Sequence, residues 1–140
     1  MINFKLKHHV SGNCYSKPHF FILNKGLNTG KPLSEPCPNC FVIQFGSSED
    51  LENMESICKS LWRAKFWQQF LIGSVIPYIR IHDFSKNLAL KSNDMMLDFE
   101  QHKKNVAALK LLEQKEEQFQ QNINLINDLR RVILYRYCKR

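Results

Sequence analysis

Glycine and proline run out early: all five of each lie at or before Pro77, and Tyr78 to Arg140 contains neither. A turn-rich first part is therefore followed by a stretch with nothing in it to break a helix. Long apolar runs are also missing. The longest near-apolar segment, Phe70 to Ile79, falls far short of the ~20 residues that a membrane-spanning helix needs. No collagen repeat or export signal is present. The cysteines, Cys14, Cys37, Cys40, Cys58 and Cys138, are odd in number, and without an export signal they are expected as free thiols in a reducing cytoplasm. Catalytic signatures are scarce as well. There is no serine elbow, no pair of histidines at helical spacing, and no strand-borne Glu-x-Lys of an acidic triad; Glu113-Gln-Lys115 has those letters but lies in a helical stretch. These absences favour binding over catalysis.

What is present is enough for one domain with a core. The 140 residues are 44% hydrophobic and 11% aromatic, with ten phenylalanines. Ile2 to Val10 alternates, Ile2, Phe4 and Leu6 against Lys5 and Lys7, and predicts a terminal strand. His19 to Leu23, entered through Pro18, and Cys40 to Phe45, stopped at Gly46, predict two further strands. Between them Asn24 onward reads as a long loop, with turn residues at nearly every position. Ser47-Ser48-Glu49-Asp50 is a helix start, a hydroxyl cap followed by acids that offset the helix dipole, and the helix is predicted to run to about Ile72. Its stripe of Leu51, Met54, Cys58, Leu61, Trp62, Phe66 and Phe70 should pack on the strands. Trp62 and Trp67 read as core and core rim, with an aromatic stacking surface as the alternative. Val75 to Ile81 predicts an edge strand, and Asp83 to Asp94 a connection or short helix. The expected fold class is α+β: a small, mainly antiparallel sheet packed by one helix, followed by a long C-terminal helix or helical hairpin. The division falls between a compact domain, residues 1–93, and a helical extension, residues 94–140.

That extension would span roughly 65 Å at 1.5 Å per residue, more than a small domain can cover. Steps of three and four pick out Leu109, Leu112, Glu116, Phe119, Ile123, Ile126, Arg130, Ile133 and Tyr137, a coiled-coil-like seam with two charged interruptions. An amphipathic helix lying on its own domain is the other reading. Two such helices running antiparallel and crossing near Ile123 and Ile126 would bring Glu116 of one within a turn of Arg130 of the other. The implied partner is a second copy or another helical protein, or else an intrachain hairpin arm.

The net charge of +7 and a pI near 9.3 are the footprint of a nucleic-acid partner, DNA foremost. Residues 1–46 carry five lysines against one glutamate, and the C-terminal stretch is basic too. The candidate phosphate contacts are Arg130, Arg131, Arg136, Lys139 and Arg140, which flank Tyr135 and Tyr137, together with Lys25 and Lys31. Complementation of a helix dipole is the alternative for the C-terminal group. Gly26-Leu-Asn-Thr-Gly30-Lys31 is not a phosphate loop: the glycines are one residue too close, and Pro32 stands where magnesium would need a hydroxyl. Cys37-Pro-Asn-Cys40 has the spacing of half a zinc site but lacks the other half, so a rigid turn with inert thiols is the main reading and zinc the only cofactor considered. His82-Asp83 reads as a polar strand end, and His8-His9 as a surface chelator at most.

Three segments together carry a resemblance: Lys17 to Leu33 with Pro-His-Phe-Phe-Ile-Leu, Pro36-Cys-Pro-Asn-Cys-Phe-Val42, and Leu61-Trp62 through Lys65-Phe-Trp67 to Phe84. They are similar to a family of small uncharacterised Bacteroidetes proteins, often associated with mobile elements, which implies a bacterial cytoplasmic setting. The order of a strand at Asn39 to Ile43, a helix from Asp50 to Phe70, a short extended segment and a long helix also resembles the target recognition domains of DNA methyltransferases and restriction specificity subunits. Ser60-Leu61-Trp62 departs from the Leu-Asn-Ser tripeptide found there. The expected function is a non-enzymatic binding module of mobile-element or defence type that touches DNA, with an interaction or scaffold subunit dimerising through its C-terminal helix as the alternative.

Overall fold

The computed structural model describes residues 2–97 and 99–138. Four strands, β1 (Phe4–His8), β2 (His19–Leu23), β3 (Pro32–Leu33) and β4 (Cys40–Phe45), form one antiparallel sheet in the order β1-β4-β2-β3. β4 inserts between β1 and β2, so both of its edges are paired and all of it but Gln44 is buried. That position accounts for its unbroken apolar run, whereas β1, an edge strand, alternates. The short β3 lies inside the stretch that reads as loop; Leu23 N–H donates to Lys31 O at 3.0 Å and Gly30 N–H to Leu23 O at 2.7 Å, which draws it alongside β2.

Register gives the sheet two unlike faces. Leu6, Ile43 and Phe20 align on one, and Lys7, Val42, Phe21 and Leu33 on the other. The first is the core face: Phe20, Ile22, Phe41, Ile43 and Phe45 pack under α1 (Ser48–Arg63), α2 (Ile81–Met96) and the early turns of α3 (Phe99–Cys138). The α+β class is therefore present, with three helices on one face of the sheet.

α1 begins where its sequence signals place it. Ser47 Oγ accepts from Asp50 N–H at 3.2 Å, with Glu49 and Asp50 in the first turn. Ser47→Ala is expected to lower stability by about 1 kcal/mol, measured by urea unfolding with unchanged m-value.

Two element predictions need correction. The helix does not continue to Ile72; it stops at Arg63, Lys65 takes a left-handed φ of 59°, and a 3-10 turn, Phe66–Phe70, follows. The redirected chain drives Trp67 into the core, stacked on Phe84 at 4.3 Å, with Phe66 and Phe70 against its edges. A straight helix would have carried Trp67 away from α2. Nor does Val75 to Ile81 form an edge strand. Ile72 and Tyr78 exchange both backbone hydrogen bonds at 2.9 Å around a tight loop, and Val75 at its tip is 89% exposed. Pro77 O accepts from Gly26 N–H at 2.7 Å, which fastens the loop to the segment after β2. Of the predicted row only Ile79 is buried, and Ile81 already belongs to α2. His82 and Asp83 consequently sit in the first turn of a helix, not at a strand end. The Asp83 to Asp94 stretch lies within α2, and the long C-terminal element is one 40-residue helix and not a hairpin.

Candidate binding surfaces

α3 has two halves in different surroundings. Up to Glu116 it lies on α1. Val106 is buried, Leu109 packs on the core, Lys110 Nζ lies 3.3 Å from Asn53 Oδ1, and Arg63 reaches Glu113 at 3.7 Å and Glu116 at 2.7 Å. The Arg63 guanidinium also sits 4.8 Å from the ring centre of Trp62, and Lys31 Nζ lies 5.2 Å from the same ring. Trp62 is thus a half-buried platform for two cations, and Trp67 is the core tryptophan.

From Glu117 to Cys138 every residue but Asn127 is exposed. The polar contacts here stay within the helix: Gln120 to Asn124, Arg130 to Asn127 and Arg131 to Asp128. Yet the segment is rich in apolar side chains. Phe119, Ile123, Ile126, Ile133 and Tyr137 of the seam are at least half exposed, as are Leu125, Leu129, Val132 and Leu134, which widen the stripe towards the C-terminal end. Ile126, Leu129, Arg130, Ile133 and Leu134 line a shallow apolar groove. Leu112 is exposed at the junction, and Leu109 belongs to the core, so the unpartnered seam starts at Leu112.

The basic candidates do not gather in one place. Lys25 and Lys31 belong to the body, on the segment after β2, and Lys31 is engaged with Trp62. Arg130, Arg131 and Arg136 stand on the distal helix, about 20–30 Å along its axis from Glu116 at 1.5 Å per residue. Lys139 and Arg140 lie outside the described residues. Cys37 and Cys40 form a closed turn: the Cys40 thiol donates to Cys37 O at 3.1 Å, and burial pushes that thiol up from its ordinary pKa. Burial does the same to Cys58. Among the described residues no group of three or more His, Cys, Asp or Glu side chains could hold a metal ion, so Cys37 and Cys40 have no companions there from which to build a zinc site.

A further surface was not marked by any sequence motif. On the sheet face opposite the helices, the β1–β2 connection lays Tyr15 over Phe21 and Val42. The Tyr15 ring lies 5.3 Å from His19, 5.7 Å from His9 and 6.2 Å from Phe21, with Lys7 Nζ 5.2 Å from its centre. Tyr15 Oη and His9 Nδ1 are hydrogen-bonded at 2.9 Å. Alternation along β1 was the only available signal, since it puts Lys5 and Lys7 on one face.

The chain belongs to a family of unknown function (DUF6943), whose sequence profile matches residues 6–136, from β1 to the last turns of α3. No curated protein and no solved structure matches it. The matched range takes in the sheet and the exposed half of the helix together. Among the described residues, no helix is long and apolar enough to cross a membrane.

Proposed function

We propose that this family member is a binding and assembly module that pairs with a second copy of itself through the distal half of α3. The observation that carries this reading is the apolar seam from Leu112 to Tyr137, exposed on a helix that has left its own body. Most of a helix's stability in a protein comes from packing of its apolar face, and a contiguous exposed apolar stripe is a site for a partner. Charge selects both occupant and direction. Glu113, Glu116 and Glu117 cluster at the near end, and Arg130, Arg131 and Arg136 at the far end. An antiparallel second copy crossing between Ile123 and Ile126 sets opposite charges side by side, whereas a parallel copy sets like against like. Arg63 holds Glu116 within its own chain, so Glu117 is the carboxylate best placed for the partner's arginines. Sedimentation equilibrium of the full chain is expected to return twice the monomer mass; a monomer at every concentration refutes the reading.

DNA contact is the second reading, favoured by the arginines of the helix tip, where the Arg131 side chain is 80% exposed. An antiparallel pair would carry one such cluster at each end. Three phosphate contacts predict a loss of roughly 40-fold in duplex affinity between roughly 50 and 200 mM salt. Reversing Arg130, Arg131 and Arg136 to glutamate should abolish that slope, as read by fluorescence anisotropy. The bacterial cytoplasm and a mobile-element or defence setting belong to the same proposal, on the resemblance carried by residues 17–84.

A further inference from the structure

We infer that the helix-free face of the sheet is an interface for single-stranded nucleic acid, separate from the tip of α3 and independent of how the chain assembles. Three properties of that face converge. First, no helix covers it: α1, α2, α3 and the 3-10 turn all pack on the opposite side, and its buried centre of Phe21, Cys40 and Val42 is roofed by Tyr15, Leu33 and Cys37 from the connecting segments. Second, β1, β2 and the connection between them bring it cations and no carboxylate. Register aligns Lys5 with Gln44 and His19 in one row, and Lys7 with Val42 and Phe21 in the next. Lys5 and Lys17 share a shallow pocket with Asn3 and Gln44. The first acidic residue of the chain is Glu35, so neither β1 nor β2, nor the connection between them, brings a carboxylate to this face. Third, it interleaves those cations with rings. Tyr15, His9, His19 and Phe21 lie within 5.2 to 6.2 Å of one another in five pairs.

Lysines two residues apart on β1 and a third at the end of the β1–β2 connection, beside the half-buried rings of His9, Tyr15 and His19, match a polymer that alternates phosphates and flat bases. Single strands offer both, because their bases are unstacked and can lie on aromatic side chains while the backbone follows the positive groove. A duplex hides its base faces and would use the lysines alone. Gln44 and His19 add hydrogen-bonding groups beside the first lysine row. The charge also explains itself on this reading: a solvent-facing surface needs polar residues for solubility, but both signs would serve that purpose, and β1, β2 and the connection between them supply only one.

The test uses the full chain and fluorescein-labelled oligo-dU and oligo-U of about 16 nucleotides, with a duplex of the same length, followed by anisotropy. Single strands are expected to bind at least about 10-fold more tightly than duplex, and the better of the two oligonucleotides identifies the sugar preferred. Lys5→Glu, Lys7→Glu and Lys17→Glu together should cost at least about 100-fold at roughly 50 mM salt and reduce the log–log salt slope by about 2. All three side chains are exposed, so the triple variant is expected to keep its fold, checked by its far-UV spectrum and melting temperature. Tyr15→Leu should weaken binding roughly 10-fold at unchanged salt slope, the mark of lost stacking as opposed to lost charge. The inference is overturned if the triple lysine variant binds within about twofold of the parent, if duplex binds as well as single strands, or if reversal of Arg130, Arg131 and Arg136 removes single-strand binding while the lysine variant does not. The last outcome would leave the helix tip as the sole nucleic-acid surface; loss of the dimer alone would touch neither.

Discussion

Substituting Ile123 and Ile126 together by glutamate is expected to convert the dimer to a monomer, with a dissociation constant raised by at least about three orders of magnitude. The two residues sit at the proposed crossing point, so a symmetric pair loses four buried isoleucines and gains four carboxylates in one apolar layer. Removing a buried isoleucine costs about 2–5 kcal/mol where its surroundings cannot collapse, and an unpaired buried charge adds to that. Only about 4 kcal/mol of the total is needed for a thousandfold effect. The body should not notice: both isoleucines are at least half exposed in the single chain, so the cooperative unfolding of the sheet domain is expected to keep its midpoint. The freed helix should fray, which lowers far-UV helicity without loss of near-UV signal from Trp67. Gln121→Glu with Asn124→Glu supplies the same charge change off the seam and is expected to leave the sedimentation mass unchanged. If that control also dissociates the pair, net charge and not the seam governs assembly.

The contrast between the two halves of the chain shows what local patterns can reveal. β2, β4 and the start of α1 were legible because each depends on signals within a few residues: a β-branched and aromatic run, a glycine stop, a serine cap. The long helix was legible by exclusion, since Tyr78 to Arg140 has no glycine or proline. The end of α1 was not, because the residue that turns the chain is Lys65 at φ 59° and not a glycine. Burial of Trp67 against Phe84 compensates a strain that no local pattern announces. Val75 to Ile81 misled for the opposite reason: its alternation is genuine, but a hairpin-like loop puts Val75 and Ile76 in solvent, so the period has no face to bury. The open sheet face was half visible. Lys5 and Lys7 share a side by the pleat alone, but that no helix covers the side depends on where three helices dock, two of which, α2 and α3, come from far along the chain. Charge at the ends of the chain was correctly seen and could not be placed, since residues 1–46 and the helix tip turn out to be separate surfaces.

Gly30→Ala carries the largest expected loss of stability from a single methyl group. Gly30 has φ +96°, and a Cβ added there would collide with Trp67 Cδ1 and lie 2.8 Å from its Cγ. Two penalties therefore combine. The backbone conformation costs an alanine about 1–2 kcal/mol, and the clash forces either the strand-side loop or a fully buried indole to move, about 1–3 kcal/mol more. Neither side can yield cheaply: Gly30 N–H is bonded to Leu23 O at 2.7 Å, and the indole is stacked on Phe84. The sum, about 2–5 kcal/mol, is a large part of the stability of an ordinary domain, and the melting temperature should fall by roughly 6–20 °C. Gly26→Ala separates the two contributions. Its φ of +98° is the same, but nothing lies within 4 Å of its added Cβ, so only the conformational cost remains and the fall should be less than half as large. Trp67→Ala removes the Cγ and Cδ1 atoms that the new methyl strikes. It is destabilising alone, through the cavity it leaves, but in the Gly30→Ala background it should cost less than in the parent, a favourable coupling in a double-mutant cycle. Equal losses from Gly30→Ala and Gly26→Ala, or additive effects at 30 and 67, would mean that Gly30 serves only its turn. Coupling would show that the glycine in this loop, which resembles a phosphate cradle by its letters alone, is there to seat Trp67 under the sheet.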